Sequence, residues 1–216
     1  AKTLFPYTTL FRSGTGTWEL AGNNTYTGAT NVVTGTLVLG HAGALGTGTL
    51  NVQGGALDSS VANLVNANNN PQSWNGNFAF VGTQNLNLGT GAVTLGLTSQ
   101  VTVSANTLAV GGDVGGAFGL TKAGPGALVL NGVNTYTGAT TVSAGTITLS
   151  GARTAAATGG VNLGNVGGST GTLNVTNGAF TVGAAGSNFL IGNAVGGTGI
   201  MNQSGGSLTT IGNQLL

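Results

Sequence analysis

The chain has 216 residues, of which 43 are Gly, none is Cys, four are basic and three acidic. Thr adds 34 and Asn 24, so Gly, Thr and Asn fill 101 positions, whereas an average domain is about 25% charged and about 7% Gly. A net charge of +1 excludes the electrostatic footprint that nucleic acid, an anionic membrane surface or an acidic substrate requires. Gly, Thr and Asn also interrupt every apolar run well short of the roughly 20 residues of a membrane helix, so this stretch is not expected to insert into a membrane.

In chain order, Thr3–Ser13 (TLFPYTTLFRS) comes first. It resembles, letter for letter, the translated sequence of a common short-read sequencing adapter. It contains no Gly and holds two of the seven Phe, so residues 1–13 are set aside as an adapter-derived artefact. Removing Lys2 and Arg12 leaves two basic residues against three acids and turns the net charge to −1 over residues 14–216. On this reading the chain is cut from a longer one at both ends.

Residues 14–57 carry a first repeat unit, GTGTWELAGNNTYTGATNVVTGTLVLG at 14–40. It recurs without a gap at an offset of 110 as GPGALVLNGVNTYTGATTVSAGTITLS at 124–150, with fifteen of 27 positions identical. Residues 58–73 contain Asn66, Asn68, Asn69, Asn70 and Pro71 with little alternation, and a loop leaving the main body is expected there. Residues 74–150 hold spacer strands and the second copy. Residues 151–216 hold a shorter unit, anchored at Leu163-Gly164-Asn165, Ile191-Gly192-Asn193 and Ile211-Gly212-Asn213; the stretch Thr154–Gly160 within it is expected to be a lesser loop.

Inside each unit the apolar residues alternate over three to five positions and stop at Gly or Asn, as in Leu37-Val38-Leu39, Leu128-Val129-Leu130 and Phe180-Thr181-Val182. This period of two, rich in Val and Thr, predicts strands. The Gly and Asn stops supply corners that need positive φ. No ten-residue segment carries a helical stripe. Tandem repetition selects among all-β folds: one coil cannot bury its own apolar face, but stacked coils form a continuous core. The predicted fold is an all-β, right-handed parallel β-helix (β-solenoid), truncated at both ends, with Leu, Val, Ile and Phe inward and Thr, Ser and Asn outward.

The segments Leu120-Thr121-Lys122-Ala123-Gly124, Asn134-Thr135-Tyr136-Thr137-Gly138-Ala139-Thr140-Thr141-Val142 and Gly145-Thr146 resemble the passenger-associated transport repeat of bacterial autotransporters. Gly14–Gly40 reads as a second copy, and residues 76–129 resemble the spacer between copies. The resemblance implies an exported, Cys-free β-helical passenger of type V secretion, held at the cell surface by a C-terminal outer-membrane barrel that does not appear before Leu216.

Chemistry is sparse. His41 is the only His and sits in the corner Gly40-His41-Ala42-Gly43, where it reads as a turn residue. Without a second His or any Cys, transition-metal ligands are lacking. Glu19, Asp58 and Asp113 are far apart in sequence, and only Lys122 and Arg153 remain among trusted cations, so a paired-carboxylate site is not expected. Gly167-Gly168-Ser169-Thr170-Gly171 fits G-x-S-x-G formally but lacks the strand-to-helix setting of a nucleophile elbow. Trp18, aligned with Leu128, and the equivalent pair Tyr26 and Tyr136 read as core residues. Trp74, beside the Asn-rich segment, is open to an exposed position.

The expected function is therefore a structural or adhesive passenger stretch with no catalytic, cofactor or metal site. Its partner would be a surface glycan or protein, with end-to-end self-association through bare coil ends. Two alternatives stay open: a secreted matrix repeat protein without a barrel, or the non-catalytic part of a carbohydrate-active β-helix enzyme.

Overall fold

The computed structural model describes residues 9–12, 14–152, 159–182 and 187–210. Among these residues there are 24 strands and no helix. The strands line up in parallel ladders as sheets of nine, seven, six and two strands. One turn shows the plan: Val93–Leu95 lies in the six-stranded sheet, Ser99–Val103 in the nine-stranded and Thr107–Val110 in the seven-stranded. The chain then returns to the six-stranded sheet at Val114–Gly115. Val93 pairs with Val114, so this turn takes 21 residues. The molecule is a three-faced β-solenoid.

Alternation explains which residues face inward. In the seven-stranded sheet Leu64, Leu86, Leu108, Leu128, Ile147, Leu173 and Met201 stand in one register column. All but Met201 are buried, and Met201 packs against the same core. Each coil thus covers the apolar side chain of the coil before it, which no single coil could do alone. Corners rely on left-handed backbone, including Asn63, Asn69 and Asn106 at φ near 50°, a conformation Asn tolerates better than most residues.

The two long repeats do not sit on the same faces. In the first copy Thr17–Leu20 pairs with Thr36–Leu39 in the nine-stranded sheet. In the second the equivalent Ala127–Leu130 pairs with Gly145–Leu149 in the seven-stranded sheet. An offset of 110 residues is not a whole number of 21-residue turns, so the second copy is mounted one face further round. The unit needs only strand, corner and strand, and all three faces provide that.

The short C-terminal units stack as the spacing requires: Gly171–Val175 pairs residue for residue with Gly199–Gln203. Ile211-Gly212-Asn213 lies outside the described residues, as does most of Thr154–Gly160. Leu10–Arg12, within the adapter-like string, forms a strand against Thr30–Val32. It stands where Leu120, Thr121 and Lys122 stand against Thr140–Val142 in the second copy.

The Asn-rich segment departs from expectation. It does not leave the stack: Leu64–Val65 is a strand of the seven-stranded sheet, and Gln72–Trp74 pairs with Leu50–Val52. Asn66 and Asn70 are buried at the corner between them. Asn70 donates to the carbonyls of Gly46 (3.0 Å) and Gly48 (2.7 Å), and Asn66 donates to Asn70 Oδ1 (2.9 Å) and Leu88 O (3.1 Å). Amides replace apolar residues here because the corner leaves backbone carbonyls without a ladder, and a buried polar group is costly unless paired. Trp74 is fully buried, edge-on to Phe78 at 5.0 Å, and Trp18 is only partly buried against the core.

Candidate functional site

The acidic side chains tie separate coils together. The Glu19 carboxylate accepts a hydrogen bond from the Ser60 hydroxyl. Asp58 accepts from the Thr83 N–H (2.9 Å) and hydroxyl (2.6 Å), and Asp113 from the Val133 N–H (2.7 Å). His41 accepts the Gly43 N–H on Nδ1 at 2.9 Å, which makes it a corner residue. Among the described residues no three His, Asp or Glu side chains group to hold a metal ion. Ser169 sits in a turn that leads into the strand Thr170–Val175, not into a helix. Arg153 and Lys2 lie outside the described residues.

Lys122 is a cation turned into the core. It stands in the register column of Val101 and Val142 and is fully buried. Its ammonium donates to the carbonyls of Ala123 (2.8 Å), Gly124 (2.7 Å) and Ala144 (3.2 Å). An ammonium has three donors, and three carbonyls meet them. Burial pushes its pKa down to about 8, because desolvation disfavours the charged form. A Cβ on Gly145, whose φ is +71°, would lie 2.4 Å from Gly124 O, 2.5 Å from Gly126 O and 2.9 Å from Nζ, so no side chain fits beside the ammonium.

The buried tyrosines mark the repeat. Tyr26 and Tyr136 are both fully buried, and each hydroxyl meets a threonine four residues on: Thr30 at 2.6 Å and Thr140 at 2.7 Å. The outer faces are neutral and rich in amides. Asn51 donates to Asn31, Asn85 to Asn63, Asn193 to Asn165 and Asn202 to Asn174, all at 2.8–3.0 Å and all across one coil step. On the seven-stranded sheet, where its first three strands meet, Asn63 and Asn85 border a shallow groove of about 310 Å³. Sequence reasoning missed this groove. Its only trace was Asn63 and Asn85, 22 positions apart, the first of them within the segment read as a loop.

Two stretches, residues 10–39 and 120–149, match the model of the passenger-associated-transport-repeat family. These are the stretches that carry the two Tyr–Thr pairs. The chain carries two passenger-associated-transport repeats. The family match covers both copies inferred from the sequence and begins at the lead-in to each, Leu10 and Leu120. A relative is the adhesin BmaC autotransporter of Brucella suis biovar 1 (strain 1330), 35% identical over 139 residues. That alignment takes in 62% of this repeat protein and 4% of the relative, so the chain spans about 4% of the relative's length. No solved structure matches the chain.

Proposed function

We propose that this chain is a stretch of an autotransporter passenger that acts outside the bacterial cell as a non-catalytic, adhesive rod. The observation that carries the reading is that two passenger-associated-transport repeats fit into one uninterrupted parallel solenoid. A stacked coil is stiff and extendable, and its outer faces repeat at every turn, which suits display rather than turnover. The similarity to an autotransporter named as an adhesin supports the adhesive part. The carboxylates of Glu19, Asp58 and Asp113 each hold another coil of the stack, which supports a role without catalysis.

The test is display. The full chain, placed ahead of an autotransporter barrel stripped of its own passenger, should reach the cell surface and be shaved off by external protease. Cells bearing it should attach to matrix-coated or epithelial surfaces more than cells bearing the barrel alone. Surface display without added attachment would remove the adhesive role, and failure to appear at the surface would remove the passenger reading.

A further inference from the structure

We propose that the groove on the seven-stranded sheet binds a neutral glycan through an N-acetyl group. The proposal rests on the adhesive reading above and names the ligand class and the side chains that take it. The groove lies where Leu64–Val65, Leu86–Asn87 and Thr107–Val110 run side by side, with Val65, Asn87 and Ala109 in one register row. Leu64, Leu86 and Leu108 point into the core, so alternation turns the flanking residues outward. The outer lining is Asn63, Val65, Asn85, Asn87, Thr107 and Ala109.

Hydrogen bonds fix which way the amides face. The Thr107 N–H donates to Asn85 Oδ1 at 2.9 Å, and the Gly89 N–H donates to Asn87 Oδ1 at 2.9 Å. A backbone N–H can meet only an acceptor, so these contacts decide the amide orientation. Asn85 Nδ2 then donates to Asn63 Oδ1 at 2.8 Å. All three side-chain oxygens thus already accept a hydrogen bond from the protein. Among the described residues the Nδ2 groups of Asn63 and Asn87 have no protein partner, and both residues are at least partly exposed. The groove therefore offers N–H donors and asks for a ligand acceptor.

The row around Asn87 adds the second requirement. Val65, 51% exposed, and Ala109 flank Asn87 on the neighbouring strands. An amide donor set between two small apolar surfaces matches a carbonyl oxygen carrying a methyl group, which is the acetamido substituent of an N-acetylhexosamine. None of the six outer residues is ionisable, so a sulfated or carboxylated sugar would leave its charge without a partner. About 310 Å³ is at the lower end of ligand-site sizes, room for one or two sugar rings. A polypeptide would have to bind by its side chains or isolated carbonyls, because the groove lies on the sheet face and strand addition needs a free edge.

The experiment is a titration of the full chain with N,N′,N″-triacetylchitotriose, followed by calorimetry and by the side-chain amide signals of Asn63 and Asn87. Maltotriose, a sulfated disaccharide and an acetylated tripeptide serve as competitors of different chemistry. Saturable binding at about millimolar affinity is expected, with maltotriose at least about tenfold weaker, equivalent to about 1.4 kcal/mol. Asn87→Ala and Val65→Asp should each weaken binding about fivefold or more while leaving the circular dichroism spectrum unchanged, and Thr94→Ala on another face should change nothing. The proposal is overturned by absence of saturation at about 50 mM, a level that reads as no specific site. Equal binding of maltotriose, tighter binding of the sulfated sugar or the peptide, or an unaffected Asn87→Ala would overturn it too. If displayed cells attach but the sugar does not bind, the groove assignment fails and the adhesive role stands; sugar binding without attachment gives the converse.

Discussion

The hydroxyl of Tyr136 lies 2.7 Å from that of Thr140 inside the core. Tyr26 and Thr30 repeat the contact at 2.6 Å in the other copy, although the two copies occupy different faces. The pair belongs to the repeat unit and travels with it round the solenoid. A buried phenol carries a large apolar ring and one polar group that must be matched, and a threonine four residues on supplies the match.

Removing only the hydroxyl should therefore show. Tyr136→Phe is expected to cost about 1–2 kcal/mol by denaturant midpoint, since Thr140 loses a buried partner. Tyr136→Ala should cost about 3–5 kcal/mol through the cavity it leaves. In a double-mutant cycle with Thr140→Val the pair should couple by about 0.5 kcal/mol or more. A Tyr136→Phe protein as stable as the parent would show that the hydroxyls do not contribute.

Lys122 and Tyr26 give the fold a pH optimum on the alkaline side. The folded lysine has a pKa of about 8 against an ordinary 10.5. Between these values the unfolded chain binds the proton and the folded chain does not, so raising the pH favours folding. Burial pushes the Tyr26 phenol above its ordinary 10.0. Above pH 10 the unfolded tyrosine loses its proton first, and stability falls. Thermal midpoints measured across this range should rise from about pH 8 to about pH 10 and then decline. Lys122→Met should abolish the rise and keep the decline; a rise that survives this substitution would place its origin elsewhere.

Trp18 and Trp74 are the only tryptophans, so fluorescence can test their placement one at a time. Trp74 is fully buried and donates its Nε1–H to Gln72 Oε1 at 3.3 Å, while Trp18 is partly buried. Trp18→Phe should leave a blue emission that quenches poorly with acrylamide. Trp74→Phe should leave a redder, more quenchable one, and Trp74→Ala should destabilise by about 3–5 kcal/mol. Equal quenching of the two single-tryptophan proteins would contradict this arrangement.

Much of this was legible in the sequence, for a physical reason. Alternation in Leu128-Val129-Leu130, the recurrence of NTYTGAT and the stacked Gly171–Val175 unit are local patterns, and a solenoid translates local pattern directly into contacts one turn away. What could not be read depends on groups that only a turn brings close. The burial of Lys122 depends on Ala144 O, which arrives from the next coil. The rotation of the second copy depends on the length of every intervening turn. The groove needs Asn63, Asn85 and Thr107 side by side, and no one of them carries a signal alone. Asn-rich sequence normally favours exposed turns, and at residues 66–70 that tendency is overridden by buried carbonyls from residues 46 and 48.

That override separates two neighbouring asparagines. Asn70 is buried, donates to two carbonyls and accepts from Asn66. Asn70→Ala removes the partner of the Gly48 carbonyl and one partner each of Gly46 O and Asn66 Nδ2, which keep Asn68 and Leu88, and is expected to cost about 2–3 kcal/mol, with each lost contact contributing about 1 kcal/mol. Asn69 is exposed at φ 50°, and its side chain holds the Thr90 N–H at 2.7 Å and the Ala67 carbonyl at 3.2 Å. Both contacts are exposed to solvent, and Gly accepts the same backbone conformation, so Asn69→Gly should cost less than about 1 kcal/mol. Urea midpoints for the two variants distinguish a corner built into the core from a loop outside it. If Asn70→Ala proves no worse than Asn69→Gly, the corner is not held by its amides. A wide gap in the expected direction would mark Asn70 as the residue that keeps this segment in the stack.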